Sequence, residues 1–332
     1  MVTVERVDDE NTWNEYVNQA IGGSVFHQSA FLEAAAEKSD SDLFLLVGKK
    51  GTQPVGIFPV FEVRVGPVTA AVSPPPKTGI PYLGPAFIRD PNIKYRKRSL
   101  TEHEFLENCL EWIRTERSPR FIRVLSNPWC DDIRPFQWDG FDVSPQYTHT
   151  LDLDRSESEL LASFSRDART AIQDEYDVEY TIRTGNESEI EYLVSRLEER
   201  YETQSETFSL SRAYLNQLYE TLPDETIIVY VLEVEGQPIT GRISLVDDGM
   251  LWFWQGVPKP SESVDMPAND LLNWHSLRDA KARDCTKADL SGANTERLWT
   301  YKGKFNPILT PYHEITSSSP GYTLGSRLYS LL

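Results

Sequence analysis

The stretch that decides the fold runs from Asp289 to Pro307; it begins with Asp289-Leu290-Ser291-Gly292 and contains Tyr301-Lys302-Gly303-Lys304-Phe305 near its end. The run Lys287-Ala288-Asp289-Leu290 is short and is broken by Gly292, which is typical of a buried strand that ends in a turn. The end of the stretch places two lysines among aromatic side chains. We therefore predict a strand that ends at the glycine and a loop that carries the lysines.

The segment that leads into this strand has the pattern of an amphipathic helix. From about Asp270 to Arg283, apolar residues recur at helical spacing, and Pro267 suits the first turn of a helix. Before it, Met250-Leu251-Trp252-Phe253-Trp254-Gln255 reads as a strand. The predicted order is thus strand, helix, strand and a lysine-bearing loop.

The two halves of the chain repeat a similar order of elements. Each half contains a hairpin with a glycine in its turn, one over residues 43–64 and one over residues 227–245. A helix is predicted from Ser156 to Tyr176, and Glu159 completes a capping box with Ser156. We predict an N-terminal lobe over residues 1–150, a C-terminal lobe over 151–315, and a tail or packed helix over 316–332.

Several further phrases fit one family. Four phrases occur in the family's order: Ser24-Val25-Phe26-His27-Gln28-Ser29-Ala30-Phe31, a phrase of the first hairpin that ends in Pro59, the paired-arginine segment Phe164-Ser165-Arg166-Asp167-Ala168-Arg169, and the stretch that begins at Asp289. The chain resembles the FemAB-like branch of the GNAT acyltransferase superfamily, often labelled acetyltransferase of the BioF2-like type. This resemblance implies an α/β (α+β) fold of two GNAT-like lobes, each a mixed, mostly antiparallel sheet flanked by helices.

The resemblance also implies a function. Members of the superfamily are N-acyltransferases, and we expect transfer of an acyl or aminoacyl group to an amine of an acceptor that carries phosphate or carboxylate. The acceptor is expected to be a small molecule or a lipid-linked compound, and no cofactor is expected to be tightly bound. The alternative is a non-catalytic GNAT-like module that binds a sugar nucleotide or a protein partner.

The donor is expected to be acyl-CoA or aminoacyl-tRNA, and the charge of the chain bears on this choice. The formal net charge of -18 offers no obvious basic face for a tRNA, so a tRNA contact would be small and local. The turn from Val257 to Pro267 contains prolines and acids, which suit a pyrophosphate poorly. The diffuse acidity is also typical of a halophilic-type surface, with an ordinary acidic cytosolic protein as the alternative.

The resemblance assigns the lysine-bearing stretch to the active site. Lys302 matches the family's lysine and is expected to hold an acceptor phosphate or to offset negative charge in the transition state, although it could instead be a solvated loop charge. Lys304 and Phe305 accompany it as binding residues. Tyr301 could return a proton to the leaving group, and Asp289 could accept a proton or merely close the turn.

Two other segments supply candidate binding residues. Arg166 and Arg169 are three positions apart on one helix and could clamp a carboxylate or diphosphate, or form surface ion pairs. In GNAT folds the donor's carbonyl lies along the strand before the phosphate-binding turn, which suggests Gln255 and Gly256 beside the reacting carbonyl. Trp254 would contact the donor there or simply pack in the sheet.

Other function classes lack their minimum motifs. The sequence contains no GxSxG elbow, P-loop or GxGxxG phrase, and its histidines have no metal-ligand spacing, so no metal site is expected. Neither a signal peptide nor a run of roughly 20 apolar residues occurs. We expect a cytoplasmic protein with no transmembrane segment and no DNA partner, and the sequence does not predict its oligomeric state.

Overall fold

A computed structural model describes residues 1–66, 68–257 and 265–317. The chain divides into two compact units, the first over residues 1–146 with 311–317 and the second over residues 147–310. Most of the turn predicted between Val257 and Pro267, and the tail or helix predicted beyond residue 317, lie outside the described residues.

Both units mix strands with helices. In chain order the elements are β1 (Val2–Arg6), α1 (Glu10–Gln19), α2 (Ser29–Ser39), β2 (Asp42–Lys50), β3 (Gln53–Val65), β4 (Val68–Ser73), β5 (Ala86–Phe87), α3 (Tyr95–Trp112), β6 (Phe121–Leu125), α4 (Arg134–Trp138) and β7 (Phe141–Asp152). They continue with α5 (Glu157–Ser163), α6 (Arg166–Gln173), β8 (Tyr180–Thr184), α7 (Glu187–Thr203), α8 (Arg212–Thr221), β9 (Ile227–Val234), β10 (Gln237–Asp247), β11 (Met250–Val257), α9 (Ala268–Ala282), β12 (Lys287–Asp289), α10 (Glu296–Gly303) and β13 (Ile308–Ser317). Across the described residues, none of the helices has both the length and the hydropathy that a bilayer-spanning segment needs.

The strands of each unit follow the same pairing pattern. In the first unit β1, β2, β3 and β4 form an antiparallel meander, β4 pairs in parallel with β6, and β6 pairs antiparallel with β13. In the second unit β8, β9, β10 and β11 form the meander, β11 pairs in parallel with β12, and β12 pairs antiparallel with β7. The predicted fold of mixed, mostly antiparallel sheets flanked by helices is confirmed. In both units the parallel pairing of two named strands follows a crossover through a long helix, as parallel strands require.

A pair of glycines shapes the helix packing of the first unit. Gly48 and Gly56 face each other across β2 and β3, and the buried ring of Phe105 from α3 lies over them. A Cβ at Gly48 would lie 2.2 Å from Cδ2 of Phe105, and one at Gly56 would lie 2.6 Å from its Cε1. The two glycines therefore leave the space in the sheet surface that the phenylalanine ring fills.

A Gly48→Ala substitution should overpack this contact. We expect it to lower the free energy of unfolding by about 2 kcal/mol, the usual cost of forcing an extra methyl group into a packed core. Urea denaturation would measure the loss, and adding Phe105→Leu should restore part of it. Gly303→Ala, where a Cβ would meet no atom within 4 Å, serves as the control. Equal stability of the Gly48→Ala variant and the wild type would contradict this account of the contact.

Two local predictions were wrong in detail. The helix expected over residues 156–176 is two helices, α5 and α6, because Phe164 adopts an extended conformation and Ser165 caps α6 by accepting from the Ala168 amide. Phe164 is buried against the ring of Trp274, which this break allows. The predicted capping box of Ser156 and Glu159 is present.

Lys302 lies in a helix and not in the predicted loop, and Lys304 is the C-cap of that helix. Thr295 caps the helix α10 by accepting from the Leu298 amide, and Glu296 occupies its first turn, where a negative charge is favourable. Lys302 lies in the last turn of this helix, where a positive charge is favourable. The helix thereby fixes the spacing of Tyr301, Lys302 and the residues that follow.

Candidate functional site

The centre of the second unit's sheet is irregular at β11. Ile243 of β10 pairs with Gln255, whereas Leu245 pairs with Trp252, so β11 has one more residue than β10 between these pairs. An extra residue of this kind bends a strand and re-aims its side chains, and bulges of this type are common next to active sites. On its other side β11 pairs with β12 only from Met250 to Trp252. The β11 backbone runs on to Val257, five residues past the last position of that pairing.

A partly buried arginine lies beside the bulged strand. Arg242 of β10 is opposite Gly256, and a Cβ on that exposed glycine would lie 3.8 Å from the guanidinium. The guanidinium carbon lies 3.8 Å from the centre of the Phe253 ring, a cation–π contact. Burial lowers the pKa of Arg242 to about 10, so the side chain remains charged at neutral pH. Its Nε atom is buried and has no acceptor among the described residues.

A chain of hydrogen bonds connects Arg242 to α9 and α10. Asn273 accepts from Nη2 of Arg242 and donates through Nδ2 to the Tyr301 hydroxyl at 3.0 Å. That hydroxyl donates to Oδ1 of Asp270 at 2.9 Å, and Nζ of Lys304 lies 2.5 Å from Oδ2. We call these five residues the polar network. The only carboxylate in the network, that of Asp270, is paired with Lys304, which leaves the charge of Arg242 without a carboxylate partner there.

Lys302 adds a second cation next to the polar network. Its Nζ donates to the carbonyl oxygens of Ser291 and Gly292, the latter at 3.3 Å. Burial and, to a smaller extent, the charge of Arg242 lower the pKa of Lys302 to about 8, against the opposite effect of Asp289. The two cations are therefore close enough to repel each other. Their site would be stabilised by a bound anion.

Asp289 and His149 lie near Lys302. Asp289 is fully buried, and its Oδ1 accepts from the Thr148 hydroxyl at 2.5 Å and from the Ser291 amide at 2.6 Å, which closes the turn before Gly292. Burial lowers the pKa of His149, as does the charge of Lys302. The buried Nδ1 of His149 has no hydrogen-bond partner within the part of the chain that the structure describes. A neutral imidazole thus lies beside an ammonium group.

An open pocket of about 690 Å³ lies at the start of α6 and α9. Its lining includes Arg166, Asp174, Tyr176 and Pro267. Burial raises the pKa of Tyr176, and the carboxylates of Asp174 and Asp270 raise it further. The pocket therefore adjoins the Asp270 end of the polar network. Its one cation, Arg166, is exposed and has no ion pair among residues 1–66, 68–257 and 265–317.

The paired arginines of α6 have different surroundings. Arg166 lines the open pocket, whereas Arg169 donates through Nη1 to the carbonyl oxygens of Ala162 and Phe164 at the end of α5. The backbone amide of Ser165 donates to the Lys304 carbonyl at 2.8 Å, which joins the start of α6 to the end of α10. Arg169 thus satisfies carbonyl groups that a helix end leaves without partners.

The two aromatic candidates lie in the core. Phe305 is buried, and its ring centre lies 5.3 Å from that of Phe164 and 5.9 Å from that of Tyr301. Trp254 is buried within the irregular part of β11. Gln255 and Gly256 occupy the bent section of the strand, and Gly256 is exposed. These positions leave the backbone of β11, more than its large side chains, accessible to a ligand.

Sequence reasoning missed four polar residues of this site: Arg242, Asp270, Asn273 and His149. The signal for Arg242 was present, since a single arginine interrupts the strand Pro238-Ile239-Thr240-Gly241-Arg242-Ile243-Ser244-Leu245. A charged residue in such a strand is expected to have a specific partner. In the sequence Asp270 marks only the start of an amphipathic helix, Asn273 reads as part of its polar face, and His149 has no metal-ligand spacing.

Comparison with known proteins supports the fold of this site. Residues 162–303 match the family model of the acetyltransferase (GNAT) domain. The structural match to the crystal structure of FemX has a TM-score of 0.71 at 11% sequence identity. It covers 93% of this chain and 96% of the FemX chain. A tandem GNAT protein from the clavulanic acid biosynthesis pathway matches with a TM-score of 0.57 at 12% identity, over 96% of this chain and 99% of its own.

A third similar structure is the C-terminal domain of a putative lysylphosphatidylglycerol synthetase from Agrobacterium fabrum. Its TM-score is 0.56 at 13% identity, over 96% of this chain and 97% of that one. No curated protein sequence matches the chain significantly. At these identities the structural likeness establishes the fold alone. The family match over residues 162–303 agrees with the predicted resemblance to the GNAT superfamily.

Proposed function

Since residues 162–303 match the family model of the acetyltransferase (GNAT) domain, we propose that this protein is an N-acyltransferase that joins an acyl or aminoacyl group to an amine. The acceptor amine belongs to a molecule that also carries a phosphate or carboxylate. The donor is an activated acyl group, held either as a thioester or as an ester of tRNA. The reaction takes place along the bent section of β11.

One observation carries this proposal: Arg242 and Lys302 are two cations next to one bulged strand, and neither forms an ion pair with a carboxylate among the described residues. Buried charges are normally paired, since an uncompensated charge is costly. An active site that stabilises developing negative charge is a reason to keep such charges unpaired. Gly256 leaves Arg242 within reach of a ligand because it has no side chain.

The reaction can be written for this geometry. The acceptor's amine nitrogen attacks the donor's carbonyl carbon, a C–N bond forms, and the C–S or C–O bond to the leaving group breaks. A backbone amide on the open edge of β11 at Gln255 or Gly256, with Arg242 behind it, stabilises the oxyanion of the tetrahedral intermediate. The neutral imidazole of His149 takes the amine's proton and releases it to solvent, and the leaving thiolate or alkoxide takes one proton from solvent.

The polar network holds the site in position. The Tyr301 hydroxyl donates to Asp270, and burial raises its pKa, so it remains a phenol that orients Asn273 and through it Arg242. Lys302 binds the anionic group of the acceptor, and Arg166 offers a second charge in the adjoining pocket. In this assignment Lys304 and Asp270 act through Tyr301, as positioning residues.

The test is a search for the acyl product. The purified protein is incubated with isotopically labelled acyl-CoAs and with aminoacylated tRNA, each with a mixture of phosphate- and carboxylate-bearing amines, and products are identified by mass spectrometry. A labelled amide from either donor, dependent on the protein, supports the proposal and identifies the donor class. Saturable binding of an acceptor without an amide from either donor would count against it.

The lowered pKa of Lys302 predicts a pH dependence. Lys302 is protonated below pH 8 and loses its charge as the pH rises through about 8, so kcat/KM for the acceptor should fall above that pH relative to a Lys302→Arg variant. Arginine stays charged throughout this range. Initial rates from pH 6.5 to 9.5 in both proteins would give the ratio, and the comparison cancels the titration of the acceptor amine. A constant ratio would exclude a charged role for Lys302.

A further inference from the structure

The first unit carries a basic surface that the transferase site does not use. The sequence Lys94-Tyr95-Arg96-Lys97-Arg98 places four basic residues within five positions of a chain whose net charge is -18. The segment forms the N-cap and first turn of α3, where no acidic residue is present. Positive charge is unfavourable at this end of a helix, so these residues do not stabilise α3.

Large apolar side chains are exposed on the same surface. Tyr95, Leu100 and Trp138 are 63%, 60% and 66% exposed. Arg134 connects two of them, because its Nη2 lies 3.4 Å from the Tyr95 hydroxyl and its guanidinium carbon lies 5.5 Å from the centre of the Trp138 ring. Leu100 lies one turn after Arg96 on α3 and therefore on the same side of the helix. We call Lys94, Tyr95, Arg96, Lys97, Leu100, Arg134 and Trp138 the basic aromatic surface.

Three basic residues of this region form no ion pair within the described part of the chain. Arg134 of the surface and two arginines beside it form ion pairs with acids: Arg134 with Asp132, Arg89 with Glu102 and Asp131, and Arg98 with Glu102. The carboxylate of Asp90 accepts hydrogen bonds from the backbone amide and the side chain of Asn92. Lys94, Arg96 and Lys97 are exposed and form no ion pair within the described part of the chain. Their charges are therefore available to a partner.

We propose that the basic aromatic surface binds the headgroup region of an anionic lipid bilayer. Tyrosine and tryptophan are the side chains that favour a membrane interface, and lysine and arginine beside them bind anionic headgroups. An RNA would also suit the charges and the rings. The exposed Leu100 favours the bilayer, because an aliphatic side chain gains free energy from burial among acyl chains but cannot stack on a base as an aromatic ring does.

The acidity of the whole chain does not prevent this interaction. At physiological ionic strength the Debye length is about 8 Å. Charges at the contact with the bilayer therefore interact strongly with its headgroups, whereas the repulsion from distant acids is screened. Each basic residue near an anionic membrane strengthens binding roughly fivefold. Lys94, Arg96 and Lys97 together should then contribute on the order of 100-fold. This binding would be weak and reversible, as expected for a few basic and aromatic groups.

Vesicle sedimentation tests the proposal without reference to catalysis. The full chain is mixed with vesicles of phosphatidylcholine alone or with an equal amount of phosphatidylglycerol, and the bound fraction is measured. We expect binding only to the anionic vesicles. The variant Lys94→Gln/Arg96→Gln/Lys97→Gln should bind on the order of 100-fold more weakly, and Trp138→Ala roughly tenfold more weakly.

A control variant removes three positive charges outside the basic aromatic surface. Lys77, Arg212 and Lys287 are exposed basic residues outside the surface, and replacing all three by glutamine should leave vesicle binding unchanged. Circular dichroism would verify that every variant is folded. Equal losses in both triple variants, or no binding to anionic vesicles, would overturn the proposal. Binding to an RNA hairpin that depends on Lys94, Arg96 and Lys97, without vesicle binding, would assign the surface to RNA instead.

Discussion

A Lys302→Met variant is expected to lose on the order of 100- to 1,000-fold in kcat/KM for acyl transfer while keeping its fold. Removing one group that stabilises developing or bound negative charge in a water-poor site typically costs this much. Methionine retains the apolar stem of lysine, so the packing of α10 should be preserved. Because burial already disfavours the charged form of Lys302, its removal should not destabilise the domain. Product formation by mass spectrometry and thermal unfolding would measure the two effects separately.

The control for this prediction is Lys287→Met. Lys287 is an exposed lysine on β12 in the same unit and has no contact with the polar network. Its replacement removes the same charge and should leave kcat/KM within about twofold, as is usual for surface positions. If Lys302→Met retained the activity of the Lys287→Met protein on the same acceptor, the assignment of Lys302 to the reaction would be wrong.

An Asp270→Asn substitution should have the largest effect on stability. It removes the charge partner of Lys304 and puts an NH2 group in place of one carboxylate oxygen, at a residue that is only 6% exposed, while the remaining amide oxygen can still accept from the Tyr301 hydroxyl. Leaving one member of a buried ion pair alone usually costs 3–5 kcal/mol. Lys304 keeps some access to solvent, so we expect a loss of about 3 kcal/mol, measured by urea denaturation.

A double-mutant cycle separates the ion pair from other effects. Lys304→Met added to Asp270→Asn removes the unpaired ammonium group and should recover at least half of the lost stability. Asp174→Asn, at an acidic residue that lines the neighbouring pocket, is the matched control and should change the stability little. If the double variant were as unstable as Asp270→Asn alone, the ion pair would not be what stabilises the region.

These predictions depend on one structural arrangement. The cations of the site are held by neutral groups: Arg242 by an amide oxygen, and Lys302 by backbone carbonyl oxygens. The only ion pair in the polar network joins Lys304 to Asp270 and lies at its other end. A change at Lys302 is therefore expected to affect catalysis, and one at Asp270 mainly stability. The site would thus combine cations that act on the substrate, Arg242 and Lys302, with an ion pair, Lys304 and Asp270, that stabilises the fold around them.

Much of the fold could be predicted from local patterns. The alternation and glycine turns of the two hairpins, the amphipathic pattern of α9 and the capping box of α5 are properties of neighbouring residues, and the structure has each of them. The local patterns failed where a packed side chain decided the conformation. Phe164 interrupts a helix because its ring packs against Trp274 and Phe305, which are distant in sequence.

The sequence by itself determined the class of the sheet, the order of its elements and the stretch from Asp289 to Phe305 as the informative segment. Only the tertiary structure decided which charges meet. The contact between Arg242 and Asn273 joins residues 31 positions apart, and that between Tyr301 and Asp270 spans the same separation. The hydrophobic periodicity of the sequence does not predict such pairs, because they form only when β10, α9 and α10 pack together. The extra residue in β11 is likewise a mismatch between two strands, which neither strand encodes alone.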